Sequence, residues 1–109
     1  MVDVKLYYFI QPVADWCKMK RSKEEEKIFN LEEKDEKLIK IFKHTNFNKY
    51  LLLKKIIFLS AKKNHIPVFD LNEYFNEKKF ENKWLFSGKF HLTDEASKIL
   101  ADHIYKKIL

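Results

Sequence analysis

A chain of 109 residues with 46% hydrophobic and 35% charged residues forms one domain with enough apolar mass for a core, and its composition is not that of a disordered segment. Its one glycine, Gly88, excludes loops that cradle phosphates or dinucleotides through closely approaching backbone. Its one cysteine, Cys17, excludes an intrachain disulfide, and no Cys-x-x-Cys or His-Glu-x-x-His spacing offers a metal site, so neither metal nor cofactor is expected.

The net charge of +6 is uneven. Residues 1–64 carry 15 Lys/Arg against 9 Asp/Glu, whereas residues 65–109 carry 7 against 7. Acids interleave with these bases at Glu24 to Glu26 and at Glu32 to Glu36, so the excess reads as a solvated lysine-rich helix face, and nucleic acid is not an expected partner. No apolar run approaches the length of about 18 residues that would mark a membrane span, so no membrane partner is expected. The start, Met-Val-Asp-Val-Lys, lacks the pattern of a signal peptide, and a cytoplasmic, reduced protein is the expectation.

In chain order, Val4 to Ile10 (VKLYYFI) is short, aromatic and nearly uncharged, which predicts a strand covered on both faces. Gln11-Pro12 ends it, because proline has no N–H to give a ladder. Ser22-Lys23-Glu24-Glu25 fits a capping box and opens a helix in which Ile28, Leu31, Leu38 and Phe42 recur at helical spacing. The polar run from Glu32 to Lys37 predicts a break or an exposed turn. Phe47 to Lys63 is a second helical stretch. Leu51, Leu52, Ile56 and Leu59 make it apolar on more than one side, so it is expected to be well buried.

Asn64-His65 ends that helix, and Ile66 to Leu71 (IPVFDL) predicts a second buried strand. Residues 72–90 are expected to be irregular apart from a helical turn around Tyr74. Thr93 caps a final helix with Ala96, Ile99, Leu100, His103, Ile104 and Ile108 on its inner side. Lys106 and Lys107 stand at the end where the helix dipole favours cations. The order β-α-α-β-α predicts an α/β fold with the two strands parallel. Parallel sheets are normally covered on both faces and extended at both edges, so this pair reads as part of a doubly wound domain.

Trp84 to Leu109 read WLFSGKFHLTDEASKILADHIYKKIL, with His91-Leu92-Thr93-Asp94 ahead of an amphipathic helix. This resembles the last sequence block of SGNH (GDSL-type) hydrolases, where a histidine just before the terminal helix is the catalytic base. Pro67 to Leu71 resembles the strand before that block. Tyr7 to Phe29, with Phe9-Ile10-Gln11-Pro12, Trp16 and Ser22 to Glu26, resembles the strand and helix before that. The resemblance covers nearly all of residues 1–109 but only the C-terminal half of the family's domain. It implies a partial doubly wound, flavodoxin-like parallel sheet and an ester-hydrolase ancestry, with His91 the one catalytic residue carried over. From the residues alone, His91 reads more simply as a relic or an idle loop histidine than as a working base.

The departures from the family pattern decide the functional expectation. No G-D-S segment supplies a nucleophile, no G-x-N-D segment supplies oxyanion donors, and Gly88 stands three residues before His91 where the family has an orienting aspartate. A histidine base acts only within reach of the proton it takes, with a partner that fixes its tautomer and donors aimed at the oxyanion. Ser60, Ser87 and Ser97 do not sit on a strand-to-helix elbow. Asp94 reads as a first-turn helix acid, and His44, His65 and His103 as helix-end or packing residues. The isolated chain is therefore expected to be inactive. Its expected partners are a complementing N-terminal half or further copies of itself, a homo-oligomer joined through strand edges.

Overall fold

The computed structural model describes residues 3–18 and 20–109. Strand β1 (Tyr8–Ile10) is followed by four helices: the single turn α1 (Ala14–Cys17), then α2 (Lys23–Glu32), α3 (Glu36–Phe42) and α4 (Phe47–Lys63). Strand β2 (Val68–Asp70) runs directly into α5 (Leu71–Phe75). After a 3-10 turn at Lys78–Phe80, strands β3 (Phe86–Gly88) and β4 (His91–Leu92) lead into α6 (Asp94–Ile108). β1 and β2 pair in parallel, with Tyr8 opposite Val68 and Ile10 opposite Asp70, while β3 and β4 form a separate antiparallel pair. The fold is α/β with two small sheets. The anticipated β-α-α-β-α frame is present, and α1, α5 and the β3–β4 hairpin are added to it.

Local sequence signals set most of the boundaries. The Ser22 hydroxyl accepts from the Glu25 N–H, and the Glu25 carboxylate accepts from the Ser22 N–H at 2.8 Å, a complete capping box at the start of α2. The polar run beginning at Glu32 is the predicted break, where the Asp35 side chain accepts from the N–H groups of Lys37 and Leu38 to open α3. Thr93 accepts from the Ala96 N–H at 3.1 Å to open α6. Past the end of α4, His65 adopts a left-handed φ of 55° and turns the chain toward β2.

The core lies among α1, α2, α5, β3 and α6. Phe29, Phe75, Phe86 and Leu85 are fully buried, and Phe80, Leu71, Ala96 and Leu100 close around them. Their rings meet edge to face, as in Phe75 against Phe80 at 5.2 Å and 90°. Each such side chain contributes about 1.5–3 kcal/mol of burial.

The acid Glu25 is sealed inside this core with no solvent exposure. Besides the Ser22 N–H, it accepts from the N–H groups of Leu85 and Phe86, both at 3.1 Å, and pairs with Lys18 Nζ at 3.3 Å. Lys18 is buried too, and its ammonium donates to the carbonyls of Phe80 at 2.8 Å and Lys83 at 3.0 Å. One ion pair thus ties the end of α1, the start of α2, the loop after α5 and the start of β3.

Two expectations are corrected here. The helix Phe47–Lys63 is not well buried: only Tyr50 and Ala61 are, while Leu51, Leu52, Ile56 and Leu59 face outward. Neither is VKLYYFI a strand covered on both faces: Val4, Leu6 and Tyr8 are exposed and only Ile10 is buried. Both elements are apolar on sides where no other described residue covers them.

Removing one partner of a buried pair leaves the other uncompensated. Glu25→Gln is expected to lose about 3–5 kcal/mol in urea unfolding, and adding Lys18→Met is expected to recover part of that loss. A near-neutral Glu25→Gln would show that the pair is not the tie described here.

Candidate functional site

In parallel α/β sheets the carboxyl ends of the strands are where ligands bind. Here those ends carry a polar cluster. Asp70, the last residue of β2, is buried. Its Oδ2 accepts from the Tyr50 hydroxyl and lies 3.0 Å from Lys54 Nζ, which also pairs with Glu73. Its Oδ1 accepts from the Asn72 N–H at 3.0 Å and from Asn72 Nδ2 at 2.9 Å. Asn72 Nδ2 also donates to the Gln11 carbonyl at 2.9 Å, and its Oδ1 accepts from the Val13 N–H at 2.9 Å, which binds the end of β1 to that of β2.

Burial alone would raise the Asp70 pKa, but the bonds from Tyr50, Asn72 and Lys54 outweigh it and hold the carboxyl below its ordinary range. Burial and the bond to Asp70 push the Tyr50 phenol up. Burial would lower the Lys54 ammonium, yet Glu73 and Asp70 raise it overall. These groups are saturated by one another. They strap α4 to β2 and α5 rather than present a free base or nucleophile. Cys17 is likewise inert, since burial pushes its thiol far up.

Beside the strap lies a groove of about 350 Å³ walled by Phe58, Phe69, Tyr74, His103 and Lys107. His103 stacks on Tyr74 with ring centroids 3.6 Å apart and planes 7° from parallel, the packing role expected for it. Burial, then Lys107, lowers its pKa.

His91 lies in β4, exposed, and its imidazole makes no hydrogen bond or ion pair with any described residue. The Ser87 hydroxyl points at the main-chain carbonyls of His91 and Leu92, at 3.5 and 3.4 Å, and not at the ring. Asp94 is exposed in the first turn of α6 and makes no bond to His91. A Cβ on the buried Gly88 would stand 3.3 Å from Glu32 Oε2, so the space three residues before His91 is taken by a carboxylate of α2. That carboxylate is committed elsewhere, accepting from the Lys89 N–H at 2.9 Å. Lys89, buried, reaches Glu33 at 2.8 Å and Asp15 at 3.1 Å, and the hydrogen bond from Lys89 holds the Glu33 pKa below its ordinary value.

Neither a family model nor a curated protein matches this chain.

The other site sequence reasoning pointed to is the strand edge. The Tyr8 N–H donates to the Pro67 carbonyl at 2.9 Å, so the alternate residue Phe9 turns its N–H and C=O away from β2. No described strand pairs there. Instead that edge opens onto a groove of about 270 Å³ against α4, walled by Tyr8, Phe9, Trp16, Leu53 and Ile57. Among the described residues no group of three or more His, Cys, Asp or Glu is placed to hold a metal ion.

Two measurements follow from this geometry. Asp70 has a depressed native pKa, so the stability it contributes is present above the unfolded carboxylate range and is lost as pH falls through the lower native value. Asp70→Asn is therefore expected to cost about 1–3 kcal/mol at neutral pH and to flatten the acid limb of the stability profile. An unchanged acid limb would refute the assignment. His91→Ala, in contrast, is expected to change stability by less than about 0.5 kcal/mol, as for an unbonded surface residue.

Proposed function

We propose that this chain is the C-terminal half of an SGNH-type ester-hydrolase domain, a partial flavodoxin-like doubly wound sheet completed at β1 by an N-terminal half or, without one, by a second copy. The observation that carries the reading is the open edge of β1. A strand that leaves main-chain amides and carbonyls facing an aromatic groove is a template for another strand. The parallel β1–β2 pair, the helical crossover between them and a histidine just ahead of the terminal helix α6 also support it.

In this reading His91 is the base that a serine and oxyanion donors from the complementing half would join. The serine oxygen would attack the ester carbonyl, His91 would take its proton and return it to the leaving alcohol, and the donors would hold the tetrahedral oxyanion. No described residue offers His91 a nucleophile or oxyanion donors, so the chain alone is expected to be inactive. The carboxylate of Glu32 against Gly88 favours a second reading, in which the hydrolase chemistry is lost and the chain acts as an interaction module joined through the same edge.

The isolated chain is expected to turn over p-nitrophenyl acetate no faster than buffer, and His91→Ala no differently. Turnover abolished by His91→Ala would reveal a complete site and overturn this reading. Sedimentation from micromolar to near-millimolar protein is expected to show assembly that Tyr8→Lys, a charge placed in the edge groove, weakens. A folded monomer over that whole range would mean that the edge is not a pairing surface.

A further inference from the structure

The charge of this protein is segregated. Residues 36–63, which contain α3 and α4, hold eight lysines against one acid, Glu36, a net of +7. The other 81 residues hold 14 Lys/Arg against 15 Asp/Glu, a net of −1. Of the eight lysines only Lys54 is ion-paired, and the other seven are exposed without an acidic partner among the described residues.

The same segment carries exposed large apolar side chains. Leu52, Ile56 and Leu59 recur at i, i+4 and i+7 and are 61, 56 and 61% exposed. They form a ridge on the side of α4 opposite its buried residues Tyr50 and Ala61. Lys55 and Lys62 line one side of the ridge and Lys49 the other. Leu52 and Leu59 lie outside the β1-edge groove, so completing the sheet at β1 does not account for them.

We propose that this outer face of α4 docks on an anionic lipid bilayer surface. The ridge enters the boundary between headgroups and acyl chains while the lysines extend their stems alongside it and place their ammonium groups among the anionic headgroups. Charge complementarity selects this occupant. A second copy would set the lysines beside the ridge against their own counterparts across the contact. A nucleic acid would satisfy the lysines but leave the leucines wet. A bilayer surface takes both, and it also conforms to Leu51 and Leu53, exposed on either side of the ridge, where a protein groove accepts a narrow stripe. The expectation that no membrane is involved rested on the missing span. No described helix is long and apolar enough to cross a bilayer, but an interfacial helix needs no such length.

The test is vesicle co-sedimentation of the full chain, with phosphatidylcholine vesicles compared against phosphatidylcholine carrying about 30% phosphatidylserine. The anionic vesicles are expected to take up at least about tenfold more protein, and raising salt from about 0.1 M to 0.5 M is expected to reverse most of that uptake. Leu52→Ser with Leu59→Ser, both exposed, and Lys55→Glu with Lys62→Glu are each expected to lower partitioning at least about tenfold, with helical content by circular dichroism unchanged. Equal uptake by both vesicle types, or uptake indifferent to the leucine pair, would overturn the proposal. So would binding to duplex DNA, but not to anionic vesicles, that ignores the leucines and falls with the lysines.

Discussion

A carboxylate with no access to water holds its place only if donors converge on it, and Glu25 draws them from three parts of the chain: its own helix start at Ser22, the main chain of Leu85 and Phe86, and the ammonium of Lys18. Lys18 then spends its remaining donors on the carbonyls of Phe80 and Lys83. Each group is satisfied only while the others are in position. The entry to β3 is therefore fixed by an acid about sixty residues earlier in the chain, and so is the turn that carries Gly88 and His91. The aromatic core around Phe29, Phe75 and Phe86 supplies the bulk of the burial, and the ion pair joins the segments that carry those rings.

What could be read from the residues was what is decided locally. The Ser22–Glu25 box, the break at Glu32 to Lys37, the turn at His65 and the Thr93 cap each depend on side chains within a few positions of the backbone they serve. The β3–β4 hairpin was not legible, because strands of three and two residues carry no usable alternation. The Tyr50–Asp70 and Lys18–Glu25 contacts were not legible either. A tyrosine in an apolar helix and a lysine after a one-turn helix look like any others until the fold brings their partners in. The burial of α4 was misjudged for a related reason. Apolar residues on several sides show that a helix could be covered on several sides, and say nothing about whether there is protein to cover it.

The candidate site shows the same division. The position of His91 just ahead of the capped terminal helix follows from local sequence, and the structure places it there, exposed, though within strand β4 rather than a loop. Catalysis by a histidine depends on what stands within about 3 Å of it, and that is a tertiary question. No described acid contacts its ring, the nearby Ser87 is turned to main-chain carbonyls, and the Glu32 carboxylate beside Gly88 is held by the Lys89 amide. A side chain at position 88 would have to displace the Glu32 carboxylate by a few tenths of an ångström, so the glycine there and the seating of Glu32 beside the hairpin go together.

The unfinished surfaces of the molecule differ in kind, and this limits what each can do. At the edge of β1 the unmet groups are main-chain N–H and C=O beside aromatic rings, and only another extended strand satisfies them in register. On the outer face of α4 the backbone is already satisfied within the helix, so what remains is side-chain chemistry, leucine and isoleucine among unpaired lysines. Directional pairing belongs to the first surface. Non-directional apolar contact, guided by charge, belongs to the second. Copies that meet edge to edge through β1 can form a continuous sheet without stacking their lysine-rich faces, because α4 walls the edge groove with Leu53 and Ile57, whereas Leu52 and Leu59 lie outside it. Occupying one surface thus leaves the other open, and a strand partner at β1 would carry the basic ridge of α4 outward into the assembly's own exterior.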